Sequence, residues 1–180
     1  MAVSIKKIST KDVKKLEKLL LKTFDFLSDR YYSKESMKAQ KIIYTEENLT
    51  KGLALDNHFS FGLFDKNNLI GFIFGSFHKI TNLAYVDWLG VDEKWMKKGL
   101  LKRLLSKVET EAKKRKFHKV FFYTSRKNIP AVKGYLKNNY LIEGVLDKHY
   151  WGMDFLFFGK VLINKKISGK YSTYPDFEVK

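Results

Sequence analysis

Two apolar rhythms alternate along the chain, and the switches between them mark its elements. Val3-Ser4-Ile5-Lys6-Lys7-Ile8 alternates and predicts a short strand. Ser9 or Thr10 caps the helix that follows, with Asp12 in its first turn, and Val13, Leu16, Leu19, Leu20 and Phe24 give that helix one apolar stripe. Asp25 to Ser33 reads as an irregular connection. A weaker helical pattern covers Ser33 to Gly52, where Thr45 can cap the last helix and Gly52 can end it. From His58 the rhythm becomes that of strands. HFSFGLF alternates, Asp65-Lys66-Asn67-Asn68 is a turn, and LIGFIFGSFHKI returns as a hairpin partner.

Thr81-Asn82 then turns the chain into LAYVDWLGV, a strand that breaks at Asp92-Glu93-Lys94 and restarts as a helix after Lys97-Lys98-Gly99. In that helix Leu101, Leu104, Leu105, Val108 and Ala112 share one face. A strand feeding a helix through a tight basic turn aims unpaired N–H groups and the positive end of the helix dipole at one point, which suits a phosphate. KVFFYT (Lys119 to Thr124) reads as a buried strand without alternation. Asn128 starts another helix, IPAVKGYLKN, with Pro130 in its first turn. Leu141 to Leu146 and Trp151 to Leu162 predict a final hairpin. Asn164 to Lys180 is polar and reads as an edge strand, a subunit arm or a tail. The order β-α-α-β-β-β-α-β-α-β-β, without linker or repeat, predicts one α/β (α+β) domain over residues 1–180. Its core is a mixed, mostly antiparallel sheet of about seven strands with helices on both faces.

Composition narrows the chemistry. The chain has 180 residues, 44% of them hydrophobic, which suffices for a real core. No apolar run approaches the ~20 residues of a membrane span, and the N-terminus lacks the apolar region of a signal peptide. Without cysteine there is no disulfide, thiolate metal site or cysteine nucleophile, a composition that fits the cytoplasm. No metal-ligand spacing is evident. The balance of 35 Lys+Arg against 19 Asp+Glu gives a net +16. That charge suits a solvated basic face, an anionic cofactor or nucleic acid. The aromatics sit at strand spacing and no nucleic-acid-binding signature appears, so nucleic acid ranks behind the others.

Two motifs give the chain its resemblance to the GNAT superfamily of acyl-CoA-dependent N-acetyltransferases. The family's pyrophosphate loop, [Q/R]-x-x-G-x-[G/A], falls on Met96-Lys97-Lys98-Gly99-Leu100-Leu101, and N-x-x-A-x-x-x-Y-x-x-x-G-F falls on Asn128, Ala131, Tyr135, Asn139 and Tyr140. The element order agrees from Ile5 to about Leu162. Four residues depart from the pattern. Met96 stands for Gln or Arg, Leu101 for a small residue, Asn139 for Gly and Tyr140 for Phe. Lys97, Lys98 and Lys102 can compensate by charge at the loop, and Asn tolerates the left-handed backbone that Gly would adopt.

The resemblance implies an N-acetyltransferase that moves an acetyl group from acetyl-CoA to a primary amine in a ternary complex. It implies that Leu89, Gly90 and Val91 pair with the pantetheine arm, Gly90 letting the arm lie close. The loop from Met96 through Leu100 and Leu101 to Lys102 would hold the pyrophosphate, and Asn128 the arm. Tyr135 would stand beside the sulfur as general acid. Asp87, an acid inside an apolar strand where a carboxylate is costly unless paired or working, is the favoured base. His78 at the end of the preceding strand is the alternative. Arg30, Tyr31, Tyr32, His78 and the His149-Tyr150-Trp151 turn are candidates for the acceptor cleft. Lys107, Lys113, Lys114, Arg115 and Lys116 read as a solvated face that steers anions at most. A small polyamine is a disfavoured acceptor at +16, and a homodimer is compatible with the sequence. Met96 and Leu101 point to the alternative, a GNAT-like fold that has lost catalysis and binds RNA or protein through its basic surface.

Overall fold

A computed structural model describes residues 3–163, so the expectation of an arm or tail over 164–180 lies outside the described residues. Strand β1 (Ser4–Lys7) leads through a 3-10 turn into helix α1 (Val13–Leu27), followed by α2 (Lys34–Ile43) and α3 (Glu46–Leu53). Strands β2 (His58–Asp65), β3 (Asn68–His78) and β4 (Leu83–Val91) form a meander, α4 (Leu100–Lys114) crosses to β5 (Lys119–Ser125), and α5 (Ile129–Lys137) leads to the hairpin β6 (Leu141–Tyr150) and β7 (Met153–Val161). The seven strands are ordered β1-β2-β3-β4-β5-β7-β6. All neighbours are antiparallel except β4 and β5.

The helices start where their caps place them. Ser9 donates from its N–H and hydroxyl to Asp12 Oδ2 at 3.1 and 2.8 Å. The Ser33 and Thr45 hydroxyls accept from the N–H groups of Ser36 and Asn48, splitting the expected helical stretch into α2 and α3. Helices α1 to α3 cover one face of the sheet, where Leu16, Leu20 and Phe24 meet Phe72 and Phe74. Helices α4 and α5 cover the other, where Leu104, Leu105, Val108 and Tyr135 meet Val86, Val120 and Phe122.

Local expectations fail where tertiary contacts override pattern. The α1 helix runs through Asp25 and Phe26 to Leu27, because Leu27 completes its buried stripe. Gly52 lies inside α3. Strand β2 is buried on both faces over most of its length, since helices cover each side. Strand β5, expected to be buried throughout, alternates instead, and Tyr123 is 39% exposed. The final turn is Trp151-Gly152, so His149 and Tyr150 belong to the end of β6.

Two irregularities in β4 shape the rest. The register with β3 passes from Gly75↔Val86 to Phe74↔Trp88, leaving Asp87 as the extra residue of a bulge. Opposite, β4 pairs with β5 only over Leu83–Tyr85 and Lys119–Phe121 before the strands part. Gly75 permits the bulge, because a Cβ there would lie 2.0 Å from the Tyr85 carbonyl oxygen and 2.9 Å from Val86 Cα. Both atoms are backbone and cannot step aside. Gly75→Ala should therefore lose about 3 kcal/mol of stability in urea unfolding, whereas Gly52→Ala, with nothing within 4 Å, should gain about 0.5–1 kcal/mol in a helix. Equal small effects would show that the bulge does not depend on Gly75.

Candidate active site

The site is the opening between β4 and β5. Beyond Tyr85, β4 keeps its pairing with β3 as far as Val91, and β5 is paired along its whole length with β7. The edges that face each other across the gap have no strand partner among the described residues. Leu89, Gly90 and Val91 lie on the β4 edge. Gly90 has a reason different from the one expected. A Cβ there would come within 2.8 Å of the Phe72 ring and 3.2 Å of Thr23 Oγ1, so core packing excludes a side chain. The strand edge remains open for pairing in either case.

At the inner end of the gap several hydroxyls meet. The Tyr32 hydroxyl lies 3.0 Å from Thr124 Oγ1 and accepts the Ser125 N–H at 3.2 Å. Asn128 is buried at the N-cap of α5, where its Oδ1 accepts from the Ala131 N–H at 3.3 Å. Tyr135 stands edge-on to Phe122 and Phe158, with centroids 4.6 and 5.2 Å away. Burial raises the Tyr135 phenol above its ordinary value, and the neighbouring Tyr32 phenol adds to this. Burial likewise raises Tyr32. Both hydroxyls hold their protons at any working pH. Tyr32, expected in a loop flanking the acceptor, is 8% exposed and belongs to this buried cluster. Tyr31 is half-buried against the α1–α3 core.

Toward the outer end the chain turns into α4. Lys97 and Gly99 adopt φ of 61° and 73°. The backbone N–H groups of Lys97, Lys98, Gly99, Leu100 and Leu101 meet no acceptor among the described residues. Asp92 fixes the preceding turn by accepting from the Lys94 N–H at 3.0 Å and from Lys22 Nζ at 2.7 Å. Lys98 Nζ sits 4.6 Å from the Trp95 ring centroid, and Lys102 is exposed. The Leu101 side chain packs toward α5, where a Cβ on Gly134 would fall 2.6 Å from Leu101 Cδ2. Its bulk fills the space that Gly134 leaves. Those donors, and the three lysines, fit a pyrophosphate.

Arg30 lies beside the turn that leads into α4. Its guanidinium stacks on Phe26 at 4.3 Å, lies 4.0 Å from Glu93 and lines a cavity of about 180 Å³ with Lys22, Thr23 and Met96. The extension of α1 to Leu27 carries it to the phosphate-loop end. His78 is also displaced. It is exposed, shares a hydrogen bond with Ser76 Oγ at 3.0 Å and pairs with Leu83. Leu83 precedes Asp87 by four residues, about 13 Å along a strand.

Asp87 faces the side of α1 to α3. The bulge carries the consecutive residues Asp87 and Trp88 to this same face, with Tyr85. Trp88 Nε1 donates to Gln40 Oε1 at 3.2 Å, and Gln40 Nε2 donates to the Tyr150 hydroxyl at 2.5 Å. Tyr85 and Tyr123 lie 6.0 Å apart, and Tyr123 stands edge-on to His149 at 5.6 Å. The Asp87 carboxylate is close enough to Tyr44 and Tyr85 to add to the burial that raises both phenols. Burial alone lifts the Asp87 carboxyl to about 6, and no ion pair or hydrogen bond opposes it among the described residues. Sequence reasoning missed Gln40, Tyr44, Tyr85, Tyr123 and Thr124 as site residues. The alternation of β5 could have drawn attention to Tyr123.

Residues 19–140 match the family model described as "Acetyltransferase (GNAT) family". The chain belongs to the GNAT acetyltransferases. Among solved structures, the PaiA N-acetyltransferase from Thermoplasma acidophilum, in complex with coenzyme A, superposes with a TM-score of 0.79 at 23% identity, covering 89% of this chain and 99% of its own. Ribosomal-protein-S5-alanine acetyltransferase from Vibrio fischeri gives 0.73 at 15% identity, covering 91% and 95%. The spermidine/spermine N-acetyltransferase SpeG from Vibrio cholerae gives 0.67 at 17%, covering 89% and 95%. At these identities the likeness is one of fold. No curated protein matches the chain by sequence. No helix among the described residues is long and apolar enough to cross a membrane.

The unpaired Asp87 has a stability signature. Its carboxyl is raised from 3.8 to about 6 in the fold, so between those values the native state holds the proton more tightly than the unfolded chain. The stabilising contribution is complete below about pH 4 and is lost as pH rises through about 6. Relative to Asp87→Asn, the wild type should lose on the order of 2 kcal/mol between pH 4 and pH 7. Urea melts of both proteins at the two pH values check this. A constant difference would mean that Asp87 is solvated or paired.

Proposed function

We propose that this acetyltransferase moves an acetyl group from acetyl-CoA to a primary amine by direct attack within a ternary complex. The observation that supports the proposal is the β4–β5 opening, with the unpaired Asp87 on the α1–α3 side of β4 and the buried Tyr135 of α5 packed against Phe122 of β5. Acetyl-CoA would supply the activated thioester. The β4 edge at Leu89, Gly90 and Val91 offers backbone groups to an extended arm, as a neighbouring strand would. The N–H groups from Lys97 to Leu101 receive the pyrophosphate, with Met96 at the loop's rim and Lys97, Lys98 and Lys102 adding charge. Asn128 borders the arm beside Tyr135.

Asp87 has the right basicity to take a proton from the acceptor ammonium, directly or through one water, at neutral pH. The amine so freed would attack the thioester carbonyl; as the carbon–sulfur bond breaks, Tyr135 would give its phenolic proton to the departing sulfur and recover one from the nitrogen, which sheds its second proton on becoming the amide, while the first passes from Asp87 to solvent. A phenol kept protonated by burial is a suitable donor to a thiolate. Tyr32, joined to Thr124 and the Ser125 N–H, positions that end of the gap. We take residues 1–180 as a single acetyltransferase domain, the groups this chemistry uses lying among the described residues 3–163. The alternative of a binding module without catalysis rested on Met96 and Leu101, and the docking of Leu101 against Gly134 removes half of that basis.

Calorimetric titration with acetyl-CoA should give micromolar binding, ~8 kcal/mol. Asp87→Asn should leave that affinity within about twofold while lowering kcat roughly 100-fold, the lower end of general-base contributions. Tyr135→Phe should bind equally well and release the thiol more slowly. No heat at millimolar acetyl-CoA would overturn the proposal. Unchanged kcat in both variants would remove these residues from the mechanism.

A further inference from the structure

In a chain with 35 Lys and Arg, most carboxylates drawn into the surface have cations of their own. Asp92 holds Lys22, Glu109 holds Lys160, Glu111 holds Lys107 and Glu143 holds Lys119. Asp87 has none; the partly buried Glu17 and Asp65 share that lack, but they lie on α1 and at the end of β2, away from the opening. Asp87 is better shielded than Asp92 or Glu111, yet it has neither an ion pair nor a hydrogen-bond donor among the described residues. Instead it is walled by aromatic rings. Tyr85 stands two residues before it on the same face, Tyr44 closes the side of α2, and Tyr123 rises from β5 across the opening. The rim is fixed, since Gln40 ties Trp88 to Tyr150 and His149 backs Tyr123.

We propose that this is a seat for a single ammonium group on an apolar body, and that the acceptor is a monoamine of the arylalkyl or alkyl class, not a polyamine. The inference rests on the acetyltransferase reading of the same opening. A carboxylate withdrawn from water favours a cation at short range, and ring faces attract that cation and cover the carbons next to it. One carboxylate balances one charge. The other acids on the bordering elements are spent or remote from shelter. Asp25, Asp29 and Asp154 hold Lys41, Lys34 and Arg126, while Glu35 and Asp147 are exposed to solvent. A second or third ammonium would meet tyrosine rings without a counter-charge, on a molecule of net charge +16.

The test compares phenethylamine with spermidine, using free-thiol release at saturating acetyl-CoA and calorimetric binding of each amine in the presence of desulfo-CoA. Phenethylamine should show a kcat/KM at least tenfold above that of spermidine. Asp87→Asn and Tyr123→Ala should each weaken its binding at least fivefold, while Tyr123→Phe, which keeps the ring, should bind as the wild type does. Faster turnover of spermidine would overturn the monoamine seat while acetyl transfer stood. Equal binding of phenethylamine by wild type, Asp87→Asn and Tyr123→Ala would also overturn it. Absence of both acetyl-CoA binding and thiol release with either amine would sink the acetyltransferase reading itself, and this inference with it.

Discussion

The parting of β4 from β5 is the constraint on which the site depends. Parallel strands ordinarily pair along their length, because each unpaired backbone group that is shielded from water costs free energy. Here the pairing stops after Tyr85 and Phe121, and two features accompany the parting. The bulge at Asp87 adds twist to β4 just beyond the last shared residue. The Tyr32 hydroxyl takes up the Ser125 N–H at the end of β5. No strand among the described residues takes up those edges, which stay available to an extended ligand.

The same divergence lets the two faces of the sheet communicate. In a continuous sheet, side chains from α1–α3 and from α4–α5 are separated by the backbone layer. Tyr32 belongs to the first core and Tyr135 to the second, yet the Tyr32 phenol is near enough to add to the burial that raises Tyr135. In the proposed mechanism, a proton donor packed on one face acts on chemistry initiated from the other. The bulge completes the arrangement by turning Asp87 and Trp88 toward the same side, where a regular strand would set them on opposite faces.

Hydrophobic rhythm made the element order, the meander and the two crossovers legible, because core burial follows period in both helices and strands. The loop at Gly99 and the Asn128–Tyr135 helix were legible as motifs. What remained hidden depends on geometry between elements. The direction of Leu101 is set by the missing side chain at Gly134, thirty-three positions away in sequence. Arg30 shifted to the phosphate-loop end because α1 is longer than its polar Asp25 suggested. His78 fell outside because strand register, which single-strand pattern does not contain, sets it beside Leu83. Tyr44 and Tyr123 enter the site only once α2 and β5 are placed around the bulge.

The charge of the chain acts on two scales. At distances near the Debye length of about 8–10 Å, a net +16 draws anions toward the surface and repels cations, with the basic residues of α4 contributing to that field. Within the opening the balance reverses, because one shielded carboxylate among neutral rings dominates its immediate surroundings. A polyanionic cofactor is thus favoured at the approach and a cation only at the end of the path. A cation must give up hydration to reach Asp87 and must do so against the outer field, so each added charge on it increases the opposition without finding a second carboxylate. On the proposed reading, selectivity for low charge follows from where the single acid lies, not from the overall basicity alone.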